Sequence, residues 1–452
     1  MLRRILLYAF ICIISLSGNS QSINDKILNA INHSDWFGLD SIYNSVAKDS
    51  IHPYLEIASR GFIGHNLNRP DVSIPAFKEL FTTQSEYLDL NNFVAFAVMF
   101  GKDLNRKGEN EFAASVINQA IDATGQYLDS AMVSNLMSQV NWYSALAAYK
   151  PYQIQFNVDS IGEVPFAIVP TGPKEKGNVM MHLRESTING VPADMIFDTG
   201  AGHSIISPEM AEKYGLIPLE GTRISINGVG QSEGYLAIAK ELQIGNITVK
   251  DVPFTVASLS SNNSEADQYM DAINIILGND LIIQLKQVTI DFNTQNLIVP
   301  AKAPFIPVKT DAKPNMCFSD GGTLLCKCQL HTTPLLAFID TGNSDYGTLG
   351  ETFFEANKQY VLENGIKDTV RQAGIGGVKY NERYLLSNMN FSLGGHAVEI
   401  PEIDVRTTQE EGVGSQYEAW LGIRTLMLYS SVRFNFVDFV LTTGSPRTNS
   451  NK

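Results

Sequence analysis

Pro192-Ala193-Asp194-Met195-Ile196-Phe197-Asp198-Thr199-Gly200-Ala201 and, 142 positions later, Pro334-Leu335-Leu336-Ala337-Phe338-Ile339-Asp340-Thr341-Gly342-Asn343 follow one pattern. Each is a proline, a mainly apolar run and then Asp-Thr-Gly, with the aspartate six residues past the proline. The same marks follow each copy. A glycine-rich turn comes first, Asn227-Gly228-Val229-Gly230 in one half and Gly374-Ile375-Gly376-Gly377 in the other. An apolar run then closes on glycine, Ile275-Ile276-Leu277-Gly278 and Trp420-Leu421-Gly422, with the glycines 80 and 82 residues after their aspartates. Ten residues past each glycine a strand begins, Val288-Thr289-Ile290-Asp291-Phe292 and Val432-Arg433-Phe434-Asn435-Phe436. A single Asp-Thr-Gly is usually a turn. Two, each with the same succession of marks, indicate an internal duplication, and the proline-rich stretch Pro300 to Pro314 reads as the joint between its halves.

From about Asn178 to Leu441 the residues resemble the aspartic peptidases, retropepsin-like in each half and pepsin-like in placing two lobes in one chain. Phe197-Asp198-Thr199-Gly200-Ala201 is similar to the retropepsin-type active-site loop, and Phe338-Ile339-Asp340-Thr341-Gly342-Asn343-Ser344 to its second-lobe counterpart. Leu277-Gly278 and Leu421-Gly422 match the element that threads behind that loop. The resemblance implies an aspartic endopeptidase with Asp198 and Asp340 as catalytic dyad, Thr199, Gly200, Thr341 and Gly342 as its scaffold, an extended polypeptide as substrate, and neither cofactor nor metal. It also implies a flap over the cleft. Gly228, Gly230 and Tyr235 are candidates in the first half, with Gly374 and Gly376 in the second; ordinary surface turns are the alternative. The two copies differ after the glycine, Ala201 against Asn343, which leaves open how the halves share hydrogen bonding to the dyad.

Hydrolysis of a peptide bond by an acid–base pair needs one carboxylate to take a proton from water and one carboxylic acid to give a proton to the carbonyl oxygen. Carboxyls held about 3 Å apart cannot both ionise cheaply, so they share a proton and titrate as a pair. Glycine after Asp-Thr permits a tight loop, and each threonine hydroxyl can reach into the opposite half to hold the aspartates rigidly. Which aspartate is base and which acid is not legible. A peptide-binding or scaffold protein that keeps the fold without turnover is the alternative from another class, taking an extended chain as an added strand. Both Asp-Thr-Gly copies are intact, which favours the enzyme.

Other motifs are weaker. Gly230-Gln231-Ser232-Glu233-Gly234 satisfies the Gly-x-Ser-x-Gly pattern of serine hydrolases, which demands a strand before and a helix after; the residues that follow, Tyr235 to Ala239, read as extended. His203 beside the first loop is more often a surface or packing residue. No His-Glu-x-x-His or phosphate-cradling loop occurs. The net charge of −14 has no basic stripe, which argues against nucleic acid as a partner.

Ser22 to Lys150 has a different texture, with apolar residues at helical spacing. Helices are expected over Ile23 to Asn32, Leu39 to Ala47, Tyr54 to Asn66, Ser73 to Thr82, Asn91 to Lys102, Glu109 to Ala123 and Ser130 to Ala147. Leu67-Asn68-Arg69 recurs as Leu104-Asn105-Arg106 at an offset of 37, with Ala76 falling on Ala113. The region resembles a short tetratricopeptide-like array, with an irregular helical bundle as the equal alternative. A recruiting role toward a protein partner, a lid and an inhibitory prosegment all fit, and its size favours recruitment.

Arg3, Arg4, the apolar Ile5 to Leu16 and the small Gly18-Asn19-Ser20 read as a secretory signal. The expected location is periplasmic or cell-surface, with no membrane span in the mature chain. Cys317, Cys326 and Cys328 would then permit one disulfide, from Cys317, and leave one free thiol. The expected organisation is a signal over 1–20, an all-α repeat-like region over 21–150, all-β lobes over 151–305 and 306–443, and a disordered tail over 444–452.

Overall fold

The computed structural model describes residues 22–447 except 158–159, 173–176, 228–229, 265–266, 268–272, 302–312, 320 and 408–417. The expected secretory signal, Gly228 and most of the joint between the halves lie outside the described residues. The chain divides into two compact units at Lys150 and Pro151.

The first unit is helical. Its helices run Ile23–Asn32, Trp36–Ser45, Pro53–Asn66, Pro70–Thr83, Leu90–Arg106, Asn110–Thr124 and Ser130–Leu146, with short 3-10 turns at Lys48–Ser50, Ser85–Tyr87 and Gly125–Tyr127. Their starts are chemically marked. Ser22 and Asp25 form a reciprocal capping box, and Asp35, Asp89 and Asp129 each accept a bond from a backbone N–H of the first turn. Pro53 and Pro70 stand where a missing N–H costs nothing. The second and fourth helices begin three residues earlier than expected, at Trp36 directly after its Asp35 cap and at Pro70 in the first turn.

Leu67 and Leu104, the repeated leucines, are both fully buried at helix ends, as are Ala76 and Ala113 within the helices that follow. Phe62, Phe77, Phe96 and Phe100 form a ring-to-ring core at centroid separations of 5.1 to 6.1 Å. Beside it Asp103, wholly buried, accepts from Ser73 Oγ (2.6 Å) and Arg106 (2.8 Å) and pairs with His65 Nδ1 (2.9 Å). A buried charge is tolerated only when its oxygens are satisfied in this way.

The second unit is β-rich and contains two sheets. The first includes the long hairpin Gln231–Ile244 with Ile247–Ala257, the strands Ile161–Pro170, Val179–Leu183 and Met195–Phe197, and Ile275–Leu277. Ile161–Pro170 pairs antiparallel with Val179–Leu183. Among the described residues the second sheet has eight strands between Met316 and Leu421, dominated by the hairpin Gly377–Leu393 with His396–Arg406.

Three expectations need correction. Ser431–Asn435 and Val440–Thr443, assigned to the second half, pair into the first sheet beside Gln287–Asp291. Gly444 to Arg447, expected as tail, are tied back by bonds such as Arg447 N to Leu428 O (2.8 Å) and Ser430 N to Ser445 O (2.8 Å). Cys317, Cys326 and Cys328 are free and buried, with no disulfide among them. Cys326 and Cys328 alternate with exposed Lys327 and Gln329 on one strand, so both face the apolar side, where they pack as small hydrophobes. Among the described residues no helix is long and apolar enough to cross a membrane.

Candidate active site

Met195–Phe197 and Thr333–Ile339 are buried apolar strands that each deliver an aspartate at their carboxyl ends. Ile275–Leu277 runs parallel to the first and Ala419–Leu421 parallel to the second. The backbone of each incoming strand anchors its aspartate, with Asp198 N donating to Leu277 O (3.0 Å) and Asp340 N to Leu421 O (2.9 Å). Past each glycine the chain bonds the far side of the loop, Asn279 N to Ala201 O (2.8 Å) and Ile423 N to Asn343 O (2.9 Å). Positions 80 and 82 residues apart in sequence thus build one pair of matching corners.

The two loops interlock. Thr199 Oγ1 donates to Ile339 O (2.8 Å) and accepts from Thr341 N (3.1 Å). Thr341 Oγ1 donates to Phe197 O (2.8 Å) and accepts from Thr199 N (2.9 Å). Both threonines are fully buried, so these bonds are shielded from water. Each loop also closes on itself. Asp198 Oδ1 accepts from Gly200 N (2.7 Å) and Ala201 N (3.2 Å), and Asp340 Oδ1 from Gly342 N (2.8 Å) and Asn343 N (3.0 Å). The backbone N–H after the glycine therefore does the same work in both halves, whatever its side chain.

Asp198 and Asp340 come together and share a hydrogen bond. A Cβ on Gly200 would collide with the Asp340 carboxyl, and one on Gly342 with that of Asp198, so only glycine allows this approach. Burial raises the pKa of Asp198, opposed by hydrogen bonds from Asp340, Gly200 and Ala201. Asp340 is pushed well up, first by burial and then by the charge and hydrogen bond of Asp198. Such a pair holds one proton over a range where an ordinary carboxyl is ionised, and so offers a base and an acid at once.

One residue of the site escaped the sequence reading. Trp420 Nε1 donates to Asp340 Oδ2 at 2.7 Å. The first half has Ile276 at the corresponding place before Leu277-Gly278. A tryptophan where its counterpart is aliphatic was the available signal, since a partly buried indole seeks an acceptor.

The glycine turns also meet. Gly230 N donates to Ile375 O (2.9 Å) and Gly376 N to Ser260 O (2.9 Å). Ile375 packs on the apolar cluster of Ile196, Ile205, Leu259, Ile273 and Ile276, beside Ala201. The tip of the second-sheet hairpin thereby reaches the Asp198 loop. Gly374 ends the incoming strand of that hairpin. Tyr235 is an exposed strand residue paired with Val256, away from the turn itself. Ser232 lies in the strand Gln231–Ile244 with no helix after it, so the serine-hydrolase elbow is not formed. His203 is exposed, with Nδ1 3.9 Å from Asp280, a carboxylate that also takes bonds from Ser204 and Tyr152.

Residues 185–281 match the family described as Aspartyl protease, a span that contains the Asp198 loop and Leu277-Gly278 and ends before Asp340. A crystal structure of a retropepsin-like aspartic protease from Rickettsia conorii is similar at 20% identity, covering 34% of this chain and 96% of that chain, with a TM-score of 0.21. No curated protein matches the chain.

Proposed function

We propose that residues 151–447 act as an aspartic endopeptidase, two lobes in a single chain, with water activated between Asp198 and Asp340. The observation that carries the reading is the hydrogen-bonded carboxyl pair held by the reciprocal Thr199 and Thr341 bonds. The ionised carboxyl takes a proton from water as its oxygen adds to the peptide carbonyl, and the protonated one gives its proton to the carbonyl oxygen. On collapse the protonated carboxyl gives its proton to the departing amine nitrogen while the ionised one takes a hydroxyl proton from the gem-diol, so the carbon–nitrogen bond breaks and the pair again holds one shared proton. The interlocked loops supply rigidity, so little reorganisation is needed as charge moves.

In this reading the meeting turns at Gly230 and Gly376 are flaps that open for an extended chain and close over it. The helical unit recruits a partner or substrate, and export follows from the amino-terminal Ile5 to Leu16 run. The test is cleavage of a quenched peptide library from pH 3 to 8. Bell-shaped cutting, blocked by a peptide carrying a secondary alcohol in place of the scissile carbonyl, supports the reading; absence of cutting at every pH opposes it.

A further inference from the structure

We propose that Trp420 is a positioning residue for the dyad: its indole N–H fixes Oδ2 of Asp340 and makes the two aspartates inequivalent, keeping the pair in proton exchange at lower pH. The proposal rests on the peptidase reading for its kinetic consequence and on geometry alone for its electrostatic one.

The geometry is one-sided. Backbone N–H groups bind Oδ1 of each aspartate in matching fashion, Gly200 and Ala201 on one side and Gly342 and Asn343 on the other. Trp420 adds a donor to Oδ2 of Asp340. Ile276, at the corresponding place in the other half, has an aliphatic side chain and packs into the apolar cluster. The duplicated scaffold is therefore near-symmetric in its main chain and asymmetric in this side chain.

The ring is itself held. Phe338 stacks on it at 5.6 Å and 28°, and the Arg406 guanidinium lies over it at 5.4 Å. A cation over the indole polarises it and makes the N–H a stronger donor. Among the described residues, charged groups near this corner include Asp198 across the dyad, Glu418, whose carboxylate accepts from Leu336 N, Asp345 near Arg424, and the Arg383–Asp404 ion pair. A donor aimed at a carboxylate favours its ionised form, so Trp420 opposes the burial that raises Asp340. Loss of a hydrogen bond to a charged group corresponds to a shift of about one to two pH units.

The experiment compares the full-length mature protein with Trp420→Phe, which keeps a stacking ring and removes the donor. Aspartate carboxyls labelled with carbon-13 are titrated by NMR, with Asp198→Asn assigning the dyad, and kcat and KM are measured from pH 3 to 8. The expected result is that the Asp340 titration and the limbs of the kcat profile both move to higher pH, with KM little changed. If KM rises while titrations and limbs stay in place, Trp420 is only a wall of the cleft and the proposal is overturned. If the wild type cuts no peptide but the Asp340 titration still moves in Trp420→Phe, the peptidase reading falls and the positioning role stands. Should Trp420→Phe not fold, the wild-type indole signals decide. Of the three tryptophans, the Trp420 N–H resonance must follow the dyad's titration, and a signal flat from pH 3 to 8 overturns the proposal.

Discussion

Replacing Thr341 by valine tests the interlock of the two loops with almost no change of shape, since a methyl takes the place of the hydroxyl. The hydroxyl donates to Phe197 O and accepts from Thr199 N, so the valine strands one buried acceptor and one buried donor. Each stranded group costs about 1–3 kcal/mol, which gives about 2–6 kcal/mol, a large part of the roughly 5–15 kcal/mol that holds a domain folded. Thr341→Ser keeps both bonds and loses one methyl, about 1 kcal/mol. The assay is urea unfolding followed by near-ultraviolet circular dichroism, which reports packing around aromatic side chains, each variant being compared with the wild type. Thr199→Val should cost a similar amount, because it strands Ile339 O and Thr341 N in mirror fashion. Stability of Thr341→Val within about 0.5 kcal/mol of Thr341→Ser, the scale of a neutral surface change, would refute the reasoning.

Acid should weaken the helical unit. Burial holds His65 neutral despite Asp103, so the unfolded chain takes up a proton that the fold refuses once pH drops below about 6.5. Asp103 is kept low by His65 and Arg106 against the effect of its burial, so its contribution also fades below about pH 3.9. The Tm read from helical circular dichroism should therefore fall from pH 7.5 to 5, and a flat Tm would contradict this. Burial pushes the Cys326 and Cys328 thiols up, so iodoacetamide should label neither in the folded protein at pH 8 and both, together with Cys317, after unfolding, as mass spectrometry reads. A disulfide-linked fragment would oppose it. Gly230→Ala would drive its Cβ into the Gly376 backbone. It should lower kcat/KM about three- to tenfold, the worth of one hydrogen bond, with a small fall in Tm; unaltered kinetics would sever the turns from catalysis.

Local chemistry explains what the sequence disclosed. Apolar spacing and caps such as Ser22 with Asp25 are written in neighbouring residues, so the helices could be placed to within a few positions. The duplicated marks around Asp198 and Asp340 disclosed which segments correspond, because duplication preserves order along the chain. Strand partners are a long-range property. Val432 to Phe436 reads as a strand, yet nothing within it says that it pairs with Gln287–Asp291 rather than with its own half. The meeting of Gly230 with Ile375 is hidden for the same reason, being a contact between hairpins from different sheets. The disulfide that the cysteine spacing permits is absent, since cysteines close in sequence on paired strands also pack well as buried thiols. Trp420 was visible as the departure from an apolar pattern, but its partner could be named only once Asp340 was placed beside it.

The most direct test of the account is the turnover of a cleaved peptide by Asp198→Asn and Asp340→Asn beside the wild type, at the pH of maximum rate, with folding checked by near-ultraviolet circular dichroism. An asparagine at either place cannot share the proton, and general acid–base catalysis is worth about 10²–10⁴ in rate. The account predicts that each single change, in a folded protein, lowers kcat by about that factor or more. Cutting at the wild-type rate by either variant would contradict it.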